Sequence, residues 1–463
     1  MVGFLVVMEF GSGMLQGWYP PLLGAIGTEF GVSPAELNWV VAAYLLASVV
    51  FVPTIGKLGD RYGHKRLLTI TAATVALGSI TVATAPTFGL LLVGRVLEAP
   101  LTATLALEFA IVRDRDEKSA GRSIGKLVSA LTLGAAFGGL GSGLAFGVFN
   151  ALRPTLWVPA VFLLLCVPIV WFLVPESNVR TEGRIDWIGA GLLSLGLVSV
   201  LTGIANAATW GWTNPVTWAL VAVGAAVLVV WVLAERRISH PLVDIGVLVQ
   251  RGIGLPLVIA FIFGAQLFGS QTASSVYMLS DPDVMGFGLG VTPAAVGTFV
   301  LAQAGAAFVS ALNGFRLAGR IGSRSTVAVG GVLVAASYVM LILAPASLVG
   351  FYAAWAVRGL GNGLVISVLP AIIVKRAPAD SVGIASALYT TSRTAAGAVA
   401  GAVFALVMSS FLMTVGTGAG ATTTTSFTGY LAVWGICAGL GLVVAILALV
   451  IREPVEAVRL TAA

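Results

Sequence analysis

The sequence predicts an all-α integral membrane protein of fourteen transmembrane helices: two six-helix bundles with two extra helices between them. Three observations carry that expectation. Charged residues make up 10% and hydrophobic residues 58% of the 463 positions, whereas a soluble domain holds about 25% charge and needs it to cover its surface. The mean hydropathy is +1.02. Apolar residues come in continuous runs rather than the period-two alternation of a membrane β-barrel. Lys and Arg, finally, gather in every second loop between those runs. Such a composition excludes a nucleic-acid binder, a secreted disulfide scaffold and most soluble enzymes.

A hydrocarbon core of about 30 Å takes about 20 mostly apolar residues per helix. Runs of that kind lie at residues 2–26, 37–55, 67–86, 88–112, 127–149 and 155–174, then at 187–207 and 217–234. The last six lie at 252–277, 293–315, 326–345, 347–374, 382–413 and 429–451. They divide the chain into a first bundle at 1–174, a two-helix insert at 175–250 and a second bundle at 251–463. MVGFLVVMEF has no basic leader and no small-residue cleavage site after it, so no removable signal peptide is expected. A short cytosolic leader ahead of it is compatible with this opening. Cys166 and Cys437 sit inside apolar runs and imply neither a disulfide framework nor a metal cluster.

Orientation follows from the 25 basic residues. Arg95, Arg358 and Arg393 fall within spans and Arg153 between the fifth and sixth; the others occupy alternate loops, their edges or the C-terminal tail. Opposite loops, such as GTEFGVSPAE and the Thr-rich TGAGATTTTSFTG, carry no Lys or Arg. Basic loops stay cytosolic, so both termini are expected in the cytosol of an inner or plasma membrane. The formal net charge of +6 is then a topological signature.

The loops also repeat. GKLGDRYGHKRLL, Gly56 to Leu68, follows the second span, and a degraded copy, GFRLAGRIGSRS, Gly314 to Ser325, follows the tenth. GRVLEAPL surrounds Arg95 in the fourth span, and VRGLGNGL surrounds Arg358 in the twelfth. With spans seven and eight set aside, these features take equivalent places in two six-span halves, which is the internal repetition of secondary transporters. WVVAAYLLASVVFVPTIGKLGDRYGHKR resembles the second span and signature loop of the major facilitator superfamily, and within it of the fourteen-span drug–proton antiporter family. LAERRISHPLVD resembles that family's exit from its two extra helices, and LGAAFGGLGSG its antiporter motif in the fifth span. The resemblance covers nearly the whole chain. It implies a proton-driven exporter of small amphipathic compounds, not an enzyme, with no cofactor and a monomeric state.

Three positions depart from the family pattern. Gly139 stands where the antiporter motif has proline, Glu98 where the fourth-span motif has glutamine, and Glu9 at roughly the depth of a first-span aspartate. In the signature loop, Gly56, Gly59 and Gly63 accompany Asp60, Arg61, Lys65 and Arg66. Gly56 and Gly59 permit close helix approach, and Asp60 can accept from a facing helix N-terminus. Arg61, Lys65 and Arg66 can pair with Asp114 or Asp116, so the loop reads as a gate latch or, more simply, as topology-fixing charge. Gly134, Gly138, Gly139, Gly141 and Gly143 form a ridge for close packing or bending.

Embedded ionisable groups are the strongest pointers, because a charge at mid-bilayer costs about 2.5–3.5 kcal/mol on the insertion scale. These are Glu9, Arg95, Glu98, Arg358 and Arg393. Arg95 and Glu98 are three apart and share a helix face, as a static ion pair or as a proton site. Glu9 has no basic residue one turn away and is preferred as the proton carrier. Glu108 is expected only to neighbour Arg113. Gln16, Trp18, Tyr19, Trp39, Tyr44, Gln266, Gln271, Tyr277, Gln303, Arg358, Asn362 and Arg393 are candidates for an amphipathic substrate cavity, each with packing as the plainer alternative. Trp210, Trp212 and Trp218 read as an interfacial belt. GRSIGKL lacks the spacing and hydroxyl of a phosphate loop, so no nucleotide is expected. His64 and His240 lie in cytosolic loops, which offers no buried histidine base.

The leading expectation is alternating-access export of small amphipathic compounds against protons, in contact with membrane lipids. A metabolite exporter, a proton symporter, or a lipid-handling or sensory protein on the same fold are the alternatives. The topology is directly testable: hydrophilic reporters fused after Ser119 and after Arg180 should appear cytosolic, and one within 422–425 external. A cytosolic signal from that Thr-rich segment would overturn the fourteen-span count.

Overall fold

The computed structural model describes residues 2–115, 120–176, 186–211, 214–238, 252–376, 382–415 and 422–451. The first span is a broken helix, α1 (Val2–Trp18) and α2 (Leu23–Phe30) joined by a 3-10 turn at Pro20–Leu22. Pro20 and Pro21 have no N–H to give to a continuing α-helix, so the chain tightens there. A capping box opens α3 (Pro34–Tyr62): Ser33 Oγ accepts from the Glu36 amide at 3.3 Å while Glu36 Oε2 accepts from the Ser33 amide at 2.8 Å. Gly63, at φ +104°, makes the turn into α4 (His64–Thr84).

The fourth span is also broken, into α5 (Phe88–Glu98), a 3-10 turn at Ala99–Ala103 containing Pro100, and α6 (Thr104–Arg115). Then follow α7 (Ala120–Phe149), α8 (Leu152–Leu173), α9 (Trp187–Trp210) and α10 (Pro215–Glu235). The C-terminal half comprises α11 (Gly254–Leu279), the short α12 (Pro282–Met285), α13 (Pro293–Ile321), α14 (Ser323–Leu343), α15 (Leu348–Arg376), α16 (Val382–Ser409) and α17 (Phe427–Val450). Among the described residues, 13 helical stretches are long and apolar enough to cross a membrane. The remaining expected span is the α1–α2 unit, whose longer piece is 17 residues.

The span expected at 382–413 ends at Ser409, and part of the Thr-rich loop is paired: β1 (Leu412–Val415) runs antiparallel to β2 (Thr422–Thr425), Leu412 opposite Thr425. Arg153, expected between two spans, lies in the first turn of α8, 3.9 Å from Glu29.

One apolar core gathers buried side chains from Leu5 to Val174. Two more gather side chains between Ile253 and Ile451. The two halves use equivalent glycine contacts. Gly78 on α4 abuts Gly94 on α5, and Gly330 on α14 abuts Gly361 on α15. In the same way α1 packs on α7, and α11 on α16. The halves join where α7 meets α13 and α3 meets α16, while α9 leans on α16 and α3, with α10 outside it.

Backbone approach at these seams is close. A Cβ on Gly13 would lie 1.9 Å from the Leu131 carbonyl oxygen, and one on Gly134 2.1 Å from that of Phe10. Gly147, by contrast, faces open space. Gly134→Ala should therefore lower the thermal midpoint of the purified protein, by an overpacking cost of about 1–3 kcal/mol. Gly147→Ala should leave it unchanged or slightly raised, since alanine is the better helix former.

Candidate functional site

In the N-terminal half the fourth span carries a row of embedded polar groups. Arg95, on α5, is buried and ion-paired with Glu98 one turn on. Its Nε donates to the Val40 carbonyl of α3 at 2.7 Å. The guanidinium lies between two rings, 3.8 Å from the centroid of Tyr19 and 4.7 Å from that of Tyr44. Glu98 is saturated: Tyr19 Oη lies 2.9 Å from both carboxylate oxygens, and Ser79 Oγ donates at 2.7 Å. A buried ion pair is stable only when its remaining hydrogen-bonding capacity is met, and the break at Pro20 brings Tyr19 into position to meet it.

Glu9 is different. It is fully buried on α1, and its Oε1 accepts from Thr104 Oγ1, the first residue of α6, at 2.7 Å. That hydroxyl has one hydrogen but two acceptors at 2.7 Å, Glu9 and the Leu101 carbonyl. The hydroxyl hydrogen is shared between them, so Glu9 is weakly bonded even at Oε1. Four residues on, Glu108 shares the face of Thr104 and is also fully buried. Neither oxygen of Glu108, nor Oε2 of Glu9, has a hydrogen-bond partner among the described residues. Glu108 lies one turn from Thr104, the residue that meets Glu9. It is thus no mere neighbour of Arg113, whose side chain lies outside the described residues; the expectation failed because the break at Ala99–Ala103 re-aims α6 toward α1. The pattern that could have found it is a second carboxylate, after Glu98, in one apolar span.

The C-terminal half has its own polar cluster. Arg358, on α15, is buried and donates from Nε and Nη2 to Gln303 Oε1 on α13, at 3.0 and 2.7 Å. Trp355 lies 4.1 Å and Tyr338 5.5 Å from its guanidinium. Tyr338 Oη meets Ser270 Oγ at 2.7 Å and Gln266 Oε1 at 3.2 Å, and Gln266 Nε2 donates to Asn362 Oδ1 at 3.2 Å. Arg393 is half-buried and separately placed, over Phe268 and Tyr389.

Two cavity candidates are packing residues. Trp18 lies in the first-half core and donates to the Thr155 carbonyl on α8 at 3.2 Å. Tyr277 is enclosed by Phe287, Phe351, Tyr430 and Trp434. Helical phase, invisible in composition, turned both inward to a core. Tyr19 and Tyr44 belong to the Arg95 network, while Gln16, Trp39 and Gln271 are half-buried.

The side chains of Asp60 and Asp114 and the whole of Asp116, Trp212 and His240 lie outside the described residues. Around them, a Cβ on Gly59 would press on Leu107, whereas Gly56 meets nothing within 4 Å, so close approach is confined to Gly59. Arg61 lies over Tyr62, and Arg66 is exposed. Glu176, after the sixth span, supplies an unforeseen contact: its Oε1 accepts from the Lys65 amide at 3.0 Å, at the N-terminus of α4. Anions are favoured there. His64, expected in an open loop, is buried against Gly59. The fifth-span glycines form two faces on one unbroken helix: Gly134 and Gly138 meet Phe10 and Met14 of α1, and Gly139 and Gly143 meet Val300 and Ala294 of α13.

Comparison with known proteins agrees with this architecture. The chain is 28% identical over 382 residues to a triacylglyceride transporter of Mycolicibacterium smegmatis, an alignment that covers 77% of this chain and 66% of that protein. It is 26% identical over 405 residues to the tetracenomycin C resistance and export protein of Streptomyces glaucescens, covering 83% of this chain and 71% of the other. In fold it is similar to the crystal structure of a peptide transporter, POT, in complex with sulfate: TM-score 0.71, 18% identity, 97% of this chain and 93% of that one. The model of the Major Facilitator Superfamily matches residues 5–402, and with its broken helices, repeated glycine seams and paired arginine clusters this chain belongs to that superfamily of membrane transporters.

Proposed function

We propose that this transporter is a proton-coupled exporter of small amphipathic compounds, a member of the fourteen-span drug–proton antiporter family acting by alternating access. In this reading residues 1–174 and 251–463 are the two rocking bundles, 175–250 is the insert, and both termini are cytosolic in a bacterial inner or plasma membrane. The observation that carries it is Glu9: a carboxylate buried in the bundle one helical contact from Glu108, half unpaired and with no counter-ion bonded to it among the described residues. Two carboxylates so placed in a dry site repel strongly when both are charged, whereas wetting relieves them. A site that alternates between dry and wet therefore takes up and releases a proton. Glu98, with its ion pair and two hydroxyl donors, is better suited to hold Arg95 and the broken first span together.

The contacts between halves support an occluded state at one end. Connections 31–33, 85–87 and 280–292 contain no Lys or Arg, and toward that end Gly24 abuts Leu279 and Gly143 abuts Ala294. Closure there and access from the basic end is the arrangement that loads substrate from the cytosol or inner leaflet. The name of the Streptomyces relative favours an antibiotic-like substrate; that of the mycobacterial relative favours a second reading, export of an apolar lipid.

Proteoliposomes test both. An acid exterior relative to the interior in the cytosolic orientation should drive export of amphipathic dyes or of tetracenomycin C, and an uncoupler should stop it. Export of triacylglycerol with no dye flux would favour the lipid reading. Glu9→Gln should abolish proton-driven export while binding, followed by tryptophan quenching, persists. Glu98→Gln should have the smaller effect on coupling and act more on thermal stability, because its carbonyl still accepts from Tyr19 and Ser79 but leaves Arg95 unbalanced. Fully coupled export by the Glu9→Gln, Glu98→Gln double variant would sink the proton-carrier assignment.

A further inference from the structure

The two halves handle embedded charge in opposite ways. In the N-terminal half Arg95 is balanced by Glu98, with Glu9 and Glu108 nearby. The six long helices of the C-terminal half contain no Asp or Glu at all, yet they hold Arg358 and Arg393 far from their ends. Arg358 is only 5% exposed. The neutral amide of Gln303 accepts from two of its N–H groups, and among the described residues no carboxylate pairs with the guanidinium. Beside it, the Nε1 of Trp355 and the Nδ2 of Asn362 are buried with no hydrogen-bond partner among the described residues. Both are donors. Buried cations are ordinarily paired, and buried donors are ordinarily bonded; here neither holds, and what is missing at every one of these atoms is an acceptor.

We infer that Arg358, with Trp355 and Asn362, forms a subsite for an anionic group, so that the transported amphipath carries a carboxylate or a comparable anion. This rests on the reading of the chain as an exporter of amphipathic compounds and narrows its substrate class. A carboxylate complements a guanidinium with two parallel charge-assisted hydrogen bonds, and the low polarity of the surroundings strengthens the attraction. The aromatic faces of Trp355 and Tyr338 provide the apolar wall against which the rest of such a ligand packs. A cationic amphipath, by contrast, would meet repulsion from Arg358 and find no acid on these helices.

The test is binding to purified protein in lipid nanodiscs by titration calorimetry, with naphthoate, its methyl ester and naphthylmethylammonium as matched probes. Naphthoate should bind at least about tenfold more tightly than the other two, the size expected of one lost charge-assisted contact. Arg358→Gln should erase that preference and Arg358→Lys should keep part of it. Gln303→Glu provides the variant least prone to misfold: it gives Arg358 an internal counter-ion, so it should erase the preference while thermal stability holds or rises. Equal binding of naphthoate and its ester by the parent protein, or an undiminished preference in Gln303→Glu, would overturn the subsite. No proton gradient enters this measurement. A carboxylate preference without proton-driven flux would therefore overturn the coupling reading and leave the subsite standing, while proton-driven export confined to cationic dyes would overturn the subsite alone.

Discussion

Inside a bilayer no water is available to complete a hydrogen bond, so every embedded polar group has to find its partner in the protein. The rest of this structure depends on that constraint. Arg95 shows how it is met: a carboxylate on its own helix, a carbonyl from α3, a phenol from the break in the first span and a hydroxyl from α4 converge on one pair. Four elements are pinned to one another at that point. The proline-broken turns that look like defects in the first and fourth spans are what aim Tyr19 and Thr104 at their carboxylates.

Where polar groups do not bind the helices, glycines do. Without a hydrophobic driving force between helices in lipid, association depends on close packing and small residues. Gly13, Gly17, Gly134 and Gly138 interlock α1 with α7, and a different face of α7 carries Gly139 and Gly143 against α13. One helix thereby serves both the interior of its own half and the seam with the other half. The absence of proline at Gly139 leaves α7 continuous, with no fixed kink at the seam.

Several buried polar atoms have no hydrogen-bond partner among the described residues, and two groups of them lie beside embedded ionisable side chains. Among the described residues Glu108 and Oε2 of Glu9 have no donor, whereas Nε1 of Trp355 and Nδ2 of Asn362 have no acceptor, and the two groups lie in opposite halves of the chain. The proposed exchange of a proton for a solute would need two sites whose demands are unmet in one state and met in another, and in that proposal the acceptor-rich and donor-rich sites would be those two places.

Much of this was legible in the sequence. Composition alone excludes a soluble fold, because 10% charge cannot cover a surface, and the confinement of Lys and Arg to alternate loops predicts the path of the chain. Glycine and proline mark the seams and breaks, and the i,i+3 spacing of Arg95 and Glu98 announces their pairing. Only the tertiary structure decided which side chains face one another. Trp18 and Tyr277 read as cavity residues and are core; Glu108 read as peripheral and is sealed beside Glu9; Glu176 carried no signal and caps α4. The reason is physical. Hydropathy depends on which residues a helix contains, and the bilayer enforces it locally, whereas the facing of each side chain depends on the rotation and breaks of a helix against neighbours that lie far away in the chain.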